Sequence, residues 1–343
     1  MKKKSNILLG RVLAGVLVAA AVIGGGKAWM WLADNKLPNV RTQAELYVTP
    51  EMTPEDVLTA LDTLVSRPGS LKRAFAGHKV AEYITPGHYV LERGKTSAYI
   101  ARMLNNGWQT PVKLRIPAVR LKGSLAKSIS SQMMVDSATV AAALENEELL
   151  VKYGFKPATV FSLFIPDTYE MYWTDSVEEI FACQKKAWDS FWTQENRAKA
   201  KSLGLTPLQV SILASIVKGE SNKPQDYPKI AGVYINRLRR GMKLQSCPTV
   251  AFLFDYTKTR ILNADLRTES PYNTYIHTGL PPGPISVPDK AYLNAVLNPD
   301  TADGYLFFCA DPSFNGLHRF ARTFAEHSRN GREYQRALEQ RNR

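Results

Sequence analysis

Thr206–Glu220 reads TPLQVSILASIVKGE and is the clearest helix in the chain. Thr206 can cap it, Pro207 suits its first helical position, and Gln209 completes a T-x-x-Q capping box. Leu208, Ile212, Ser215 and Gly219 fall on one stripe, and Leu213, Ile216 and Val217 widen the apolar face. Glu220 therefore arrives directly after a strongly apolar helix, beside its carbonyl-rich end. A second helix, about Lys229–Arg240, carries Ile230, Val233 and Leu238 and stops at Gly241.

The region beyond is rich in loops. Ser246–Val250 (SCPTV), Ser270–Tyr275 (SPYNTY) and Gly279–Pro284 (GLPPGP) are turn-forming runs with polar and aromatic groups. Long loops inside a compact domain are usually functional or disordered, and the aromatic and proline content argues against disorder. Tyr305–Cys309 (YLFFC) reads as a buried strand. On the other side, residues 123–205 read as mostly helical, after a junction at 119–124. Met133, Met134, Val140, Ala141 and Leu144 fit amphipathic packing. The aromatic run Phe161–Tyr172 (FSLFIPDTYEMY) fits core packing first and a sugar-stacking wall second.

Residues 44–116 read as a small α/β module. Glu45–Thr49 is strand-like, and Thr53-Pro54-Glu55-Asp56 opens a helix whose buried face is Val57, Leu58, Leu61, Leu64 and Val65. A strand at His88–Leu91, a helix at Thr96–Asn106 stopped by Gly107, and an alternating strand at Val112–Ile116 follow. Two short strands with intervening helices fit a carbohydrate-recognition module, among many other small modules.

At the N-terminus, Ile7–Leu32 is mostly apolar, with its uncharged heart at Val12–Gly26. A spanning helix needs about 20 residues. Lys27 has to snorkel toward the outer interface, where Trp29 and Trp31 also belong. Lys2, Lys3, Lys4 and Arg11 place the N-terminus on the cytoplasmic side and the bulk of the chain outside. A cleaved signal peptide is the alternative. The apolar character continues past Ala19-Ala20-Ala21 to Leu32, which favours an uncleaved anchor. Leu37-Pro38-Asn39 reads as the exit linker.

With 343 residues, 45% of them hydrophobic, the chain is long enough for two or three domains. Its net charge of +13 is concentrated at the start: residues 1–41 hold seven basic residues against Asp34 alone. The remaining modest excess suits an acidic polymer and argues little for nucleic acid. Three distant cysteines, with no CxxC, argue against a disulfide scaffold and a cysteine zinc site. GxxxxGK[ST], HExxH and GxSxG motifs are absent. No metal or cofactor is expected. What remains is carboxylate chemistry. Burial and the helix dipole both penalise an ionised Glu220 and raise its pKa, which is what protonating a glycosidic oxygen needs. A solvated glutamate at a helix end is the plain alternative.

Four blocks in order, 214–220 (ASIVKGE), 233–250 with VYINRL and GMKLQSCPTV, 272–275 (YNTY) and 279–285 (GLPPGPI), resemble the endolytic murein transglycosylases of the YceG-like family. The resemblance runs from about Ala214 to His327, and the anchor and upstream module fit the same architecture. It implies an α+β fold: residues 1–6 cytoplasmic, a transmembrane anchor at 7–32, a LysM-like module at 44–118, and a mixed α+β catalytic domain with long loops at 119–343. It places the catalytic acid on Glu220. Gln245, Thr249, Asn273, Tyr275 and Arg237 are assigned to substrate, Arg237 toward a peptide-stem carboxylate or else a structural salt bridge. Two positions depart from the family pattern: Lys218 and Gly219 replace Glu and Lys, and Cys247 stands where Asp is usual. Lys218 should not face Glu220 on a regular helix, but a bend at Gly219 could bring it close.

The implied reaction is non-hydrolytic cleavage of the MurNAc–GlcNAc bond of nascent strands, leaving 1,6-anhydro-MurNAc ends and limiting strand length. The implied location is the inner (plasma) membrane, with the catalytic domain periplasmic. The partners are peptidoglycan strands and the membrane, with peptidoglycan synthases as further candidates and no nucleic acid. Two other classes stay open. One is a wall-binding or division scaffold on the same fold. The other is a conventional hydrolase pairing Glu220 with Asp226 or Asp265.

Overall fold

A computed structural model describes residues 2–78, 80 and 82–341. The chain divides into two compact units, 1–112 with 170–174, and 113–169 with 175–343.

The first unit begins with one long helix, α1 (Lys2–Asn35). Its stretch Arg11–Asn35 is long and apolar enough to cross a membrane. At 1.5 Å per residue those 25 residues span about 37 Å, more than a hydrocarbon core of about 30 Å. Then come β1 (Ala44–Val48), α2 (Pro54–Asp62), α3 (Pro68–Gly77), β2 (Gly87–Leu91) and α4 (Ser97–Asn105). β1 and β2 pair antiparallel, with Leu46 opposite Tyr89. Both residues are buried in a core with Val57, Leu61, Phe75, Ile100 and Leu104. Thr53 caps α2 through a reciprocal box with Asp56. Two expectations change here. α2 ends at Asp62, because Val65 leaves the helix to bridge Val40 in an extended pair. Leu37–Asn39 is also no free linker. Asn39 is buried, donates to Ser97 Oγ (2.8 Å) and accepts from the Arg67 amide (2.7 Å). Asp34, in the last turn of α1, accepts from Arg73 and Ser70.

The second unit holds most of β3 (Val112–Ile116), α5 (Lys122–Ser130), α6 (Ser137–Ala143), α7 (Glu147–Lys152), most of β4 (Asp167–Met171), α8 (Val177–Phe191) and α9 (Gln194–Ser202). It continues with α10 (Pro207–Glu220), α11 (Tyr227–Arg239), α12 (Cys247–Phe252), α13 (Lys290–Leu297), β5 (Phe307–Ala310), β6 (His318–Ala321) and α14 (Phe324–Arg341). β3 pairs with β4, and β5 with β6, in two-stranded sheets. α10 is the axis. Thr206 and Gln209 form the capping box, and every residue from Val210 to Val217 is buried. α11, α12 and α13 pack around it. The aromatic run is core in its first half, where Phe161 and Phe164 are buried and Phe164 meets Phe181 edge-on at 5.7 Å, whereas Tyr172 at its end is exposed. β5 differs from the fully buried strand expected. Its residues are half-buried in a sheet of only two strands. SCPTV is helical as α12, with Pro248 in the first turn where its missing N–H costs nothing.

Two glycines mark backbone contacts that no side chain permits. A Cβ on Gly232 of α11 would stand 1.8 Å from the Asp300 carbonyl oxygen, and one on Gly283 would stand 1.7 Å from that of Ala158. The second explains the glycine that closes GLPPG. It seats the loop so that the Ile285 amide donates to Ser215 Oγ of α10 at 3.0 Å.

Candidate active site

Glu220 is the last residue of α10, where the axial helix meets a cleft of about 380 Å³. Its side chain keeps part of its surface open to the cleft while packed atoms crowd the carboxylate. Oε1 accepts two hydrogen bonds, from Tyr234 Oη at 2.6 Å and Ser246 Oγ at 2.5 Å. Among the described residues none donates to Oε2. Burial is the dominant influence and raises the pKa above its ordinary value; the two donors, His318 and Arg237 pull the other way without reversing it. The arrangement is a carboxylic acid with one oxygen fixed and the other free to present a proton.

The donors are themselves held. Tyr234 lies on the buried side of α11 and packs edge-on against Phe308 at 5.9 Å. The Ser246 amide donates to Thr274 Oγ1, and Thr249 Oγ1 donates to the Ser246 carbonyl at 2.8 Å. Thr249 is thus a buried brace behind Ser246 and does not line the cleft. Asn273 is also buried outside the lining. Its Nδ2 donates to the Leu266 and Thr268 carbonyls, and its Oδ1 accepts from the Tyr275 amide. These two side chains fold the loops that carry Ser246, Thr274 and Tyr275.

Glu220, Gln245, Tyr275 and Arg237 do come together around the cleft. Gln245 is exposed there on a left-handed backbone (φ 51°). Tyr275 Oη sits 3.0 Å from Cys247 Sγ. Among the described residues Arg237 makes no salt bridge. Its Nε donates to the Leu306 carbonyl and its Nη1 to that of Leu244, both at 2.7 Å, tying α11 to the flanking segments. The site also contains groups that the sequence reading did not single out: Tyr234, Ser246, Phe307, Phe308, Phe324 and His327. For Tyr234 a signal existed, since it is a phenol on the same helical stripe as Ile230 and Arg237.

Lys218 turns away from Glu220. α10 stays helical through Gly219, and Lys218 Nζ donates to the Ala118 and Val287 carbonyls at 2.7 and 2.8 Å. Burial lowers its pKa to about 8. Gly219 serves a different need: a Cβ there would meet Pro248 at 2.5 Å, so its absence lets α12 close on the end of α10. Asp226 pairs with His318 Nδ1 at 2.8 Å, and Asp265 with Lys258 and the Leu262 amide. Neither lines the cleft, where Glu220 is the sole carboxylate among the described residues. Those residues include no cluster suited to a metal ion.

The two donors to Oε1 favour ionised Glu220, so their loss moves its pKa further upward. A hydrogen bond to a charged group is worth about 1.5–3 kcal/mol and a pH unit about 1.4. Tyr234→Phe or Ser246→Ala should therefore shift the alkaline limb of kcat/KM up by about one to two units, because an acid catalyst fails as pH rises through its pKa. A pH–rate profile whose limb stays put or moves down removes Glu220 from that role.

A model of the YceG-like family matches residues 46–333. A protein of Bacillus subtilis (strain 168) named endolytic murein transglycosylase is 28% identical over 276 residues, covering 76% of each chain. A protein of the same name from Streptococcus pneumoniae serotype 2 is 25% identical; the match covers 93% of this chain and 64% of that one. The crystal structure of a yceG-like protein from Listeria monocytogenes superposes with a TM-score of 0.56 at 25% identity, covering 84% of this chain and 98% of that one.

Proposed function

The chain belongs to the YceG-like family, and on that premise we propose that it cuts nascent peptidoglycan strands from a membrane anchor without consuming water. It is a lytic transglycosylase, a lyase acting on peptidoglycan. The observation that carries the mechanism is the crowded carboxylate of Glu220, alone in the cleft among the described residues, with Oε1 pinned and no donor to Oε2 among them.

A hydrolase usually needs a second carboxylate to activate water. The ring-closing route needs only one. Protonated Glu220 gives its proton to the oxygen linking MurNAc to GlcNAc, and the C1–O bond breaks. The MurNAc 6-hydroxyl then forms the C1–O6 bond and returns its proton to the carboxylate, which ends as it began. The nucleophile is tethered to the centre it attacks, so most of the entropy cost of bringing reactants together is absent. Tyr234 and Ser246 hold the carboxylate in orientation and soften its rise in pKa, so that it can act first as an acid and then as a base.

The apolar helix Arg11–Asn35 and the basic residues before it support an inner-membrane anchor with the catalytic unit outside. The strand–helix–helix–strand order from β1 to β2 supports a LysM-like, glycan-binding role for the first unit. Confinement to the membrane favours newly made polymer, hence a role in ending strand growth close to the synthases. With Lys218 bonded to backbone carbonyls, its departure from the family pattern leaves the acid character of Glu220 in place.

Purified glycan strands digested with the detergent-solubilised full chain test this reading. The expected products end in anhydro-MurNAc and weigh one water less than hydrolytic ones. Products with reducing ends instead indicate a hydrolase, and binding without cleavage indicates a scaffold.

A further inference from the structure

We propose that Phe324 is the stacking platform of a sugar subsite in this cleft, taking the face of one N-acetylhexosamine ring beside the scissile bond. The inference rests on the glycan reading above and adds a specificity-determining side chain to it.

Three rings gather on one wall of the cleft: Phe307 of β5, and Phe324 and His327 in the first turn of α14. Spacing of three residues puts Phe324 and His327 on the same helical face. Phe307 and His327 stack, with centroids 5.4 Å apart and planes 21° from parallel. The Arg237 guanidinium lies 5.3 Å from the Phe307 ring centre. Phe307 is therefore engaged by two neighbours. Phe324 touches Phe307 only at a steep angle (6.0 Å, 65°) and is 69% exposed.

A single exposed apolar residue is ordinary on a protein surface. Phe324 differs in two ways. It lines the same cleft as Glu220, and two rings steady its orientation. A pyranose has a C–H-rich face and a rim of hydroxyl and acetamido groups. The C–H face suits the negative face of an aromatic ring, and the rim needs hydrogen-bonding partners around it. The cleft supplies that rim with Gln245, Tyr275 and His327. Among the described residues His327 Nδ1 is enclosed without a partner. Burial and the Arg237 charge lower the imidazole pKa, so it acts as a neutral hydrogen-bonding group. An open aromatic face within a polar rim fits a neutral sugar ring better than a charged peptide stem.

The test uses the detergent-solubilised full chain and glycan oligomers stripped of peptide. Phe324 is mostly exposed, so its substitution spares the core, and a melting curve for each variant checks this. Phe324→Ala is expected to lower kcat/KM about tenfold, with the loss in KM, the mark of binding shared by ground and transition states. Phe324→Trp restores KM, whereas Phe324→Leu, apolar but without a ring face, stays at least fivefold impaired. A parental KM in Phe324→Ala, or equal rescue by Leu and Trp, overturns the proposal. A binding arm separates its failure from failure of the transglycosylase reading. Calorimetry of the same oligomers with Glu220→Gln protein should show the Kd rising about tenfold when Phe324→Ala is added. If the parent chain does not cleave but this binding difference appears, the lytic reading falls and the platform stands. Binding that is absent, or indifferent to Phe324, overturns the platform.

Discussion

Glu220→Gln is expected to reduce kcat on glycan strands by about a thousandfold or more, the upper range for loss of a general acid. The amide keeps the shape of the side chain and can still accept from Tyr234 and Ser246 through its oxygen. What it lacks is the proton for the leaving oxygen and the base that recovers it. The same variant should be more stable than its parent at neutral and alkaline pH. The folded state raises the Glu220 pKa above 4.5, mainly by burial. Its stabilising contribution is complete below the unfolded value and is lost as pH rises through the folded one. Glutamine does not titrate, so the gap in melting temperature should open above pH 4.5 and close toward it. Loss of activity through unfolding predicts the opposite, a variant that melts earlier.

Gly232→Ala should be among the most damaging small changes outside the acid itself. Inside a helix alanine is normally favoured over glycine by about 1 kcal/mol. Here the sign reverses, because the new Cβ would lie 1.8 Å from the Asp300 carbonyl oxygen and 2.6 Å from its carbon. Asp300 cannot simply retreat: its amide donates to the Pro228 carbonyl of the same helix at 2.9 Å. Overpacking against backbone costs roughly 3 kcal/mol or more, which for a chain of this size is a fall in melting temperature of about 4 °C. α11 carries both Tyr234 and Arg237, so displacing it also disturbs Glu220. Thermal denaturation and turnover of the variant check this together. An unchanged melting point removes the claim that the approach of α11 to Asp300 is tight.

The legible parts of the sequence were those governed by local rules. The box at Thr206 and Gln209, the apolar face of α10, the stop at Gly241 and the β1–β2 pattern all depend on neighbours within a few residues. The position of Glu220 at the end of α10 is local in the same sense. Its donors are not, since Tyr234 and Ser246 lie 14 and 26 residues away and reach Oε1 only through the packing of α11 and the threonine network. Polar residues in loops were the hardest to place. Thr249 and Asn273 are of the right type to hold a sugar, and equally of the type that bonds its own backbone, which is where the structure finds them. α14 was missed because it is polar along most of its length and buries no residue, so no apolar stripe announces it. The supposed linker at Leu37–Asn39 is composition read without its partners: Asn39 is buried by contacts with Arg67 and Ser97, far along the chain.

The claim on which the rest depends is that a lone acid lets the substrate's own hydroxyl close the ring. Cleaving glycan strands in water enriched in heavy oxygen and weighing the new ends addresses it directly. The mechanism at Glu220 requires ends free of the label and one water lighter than hydrolysed ones, formed at the full initial rate. Ends that carry the label from the first turnovers would mean that water is the nucleophile, and the account would fail.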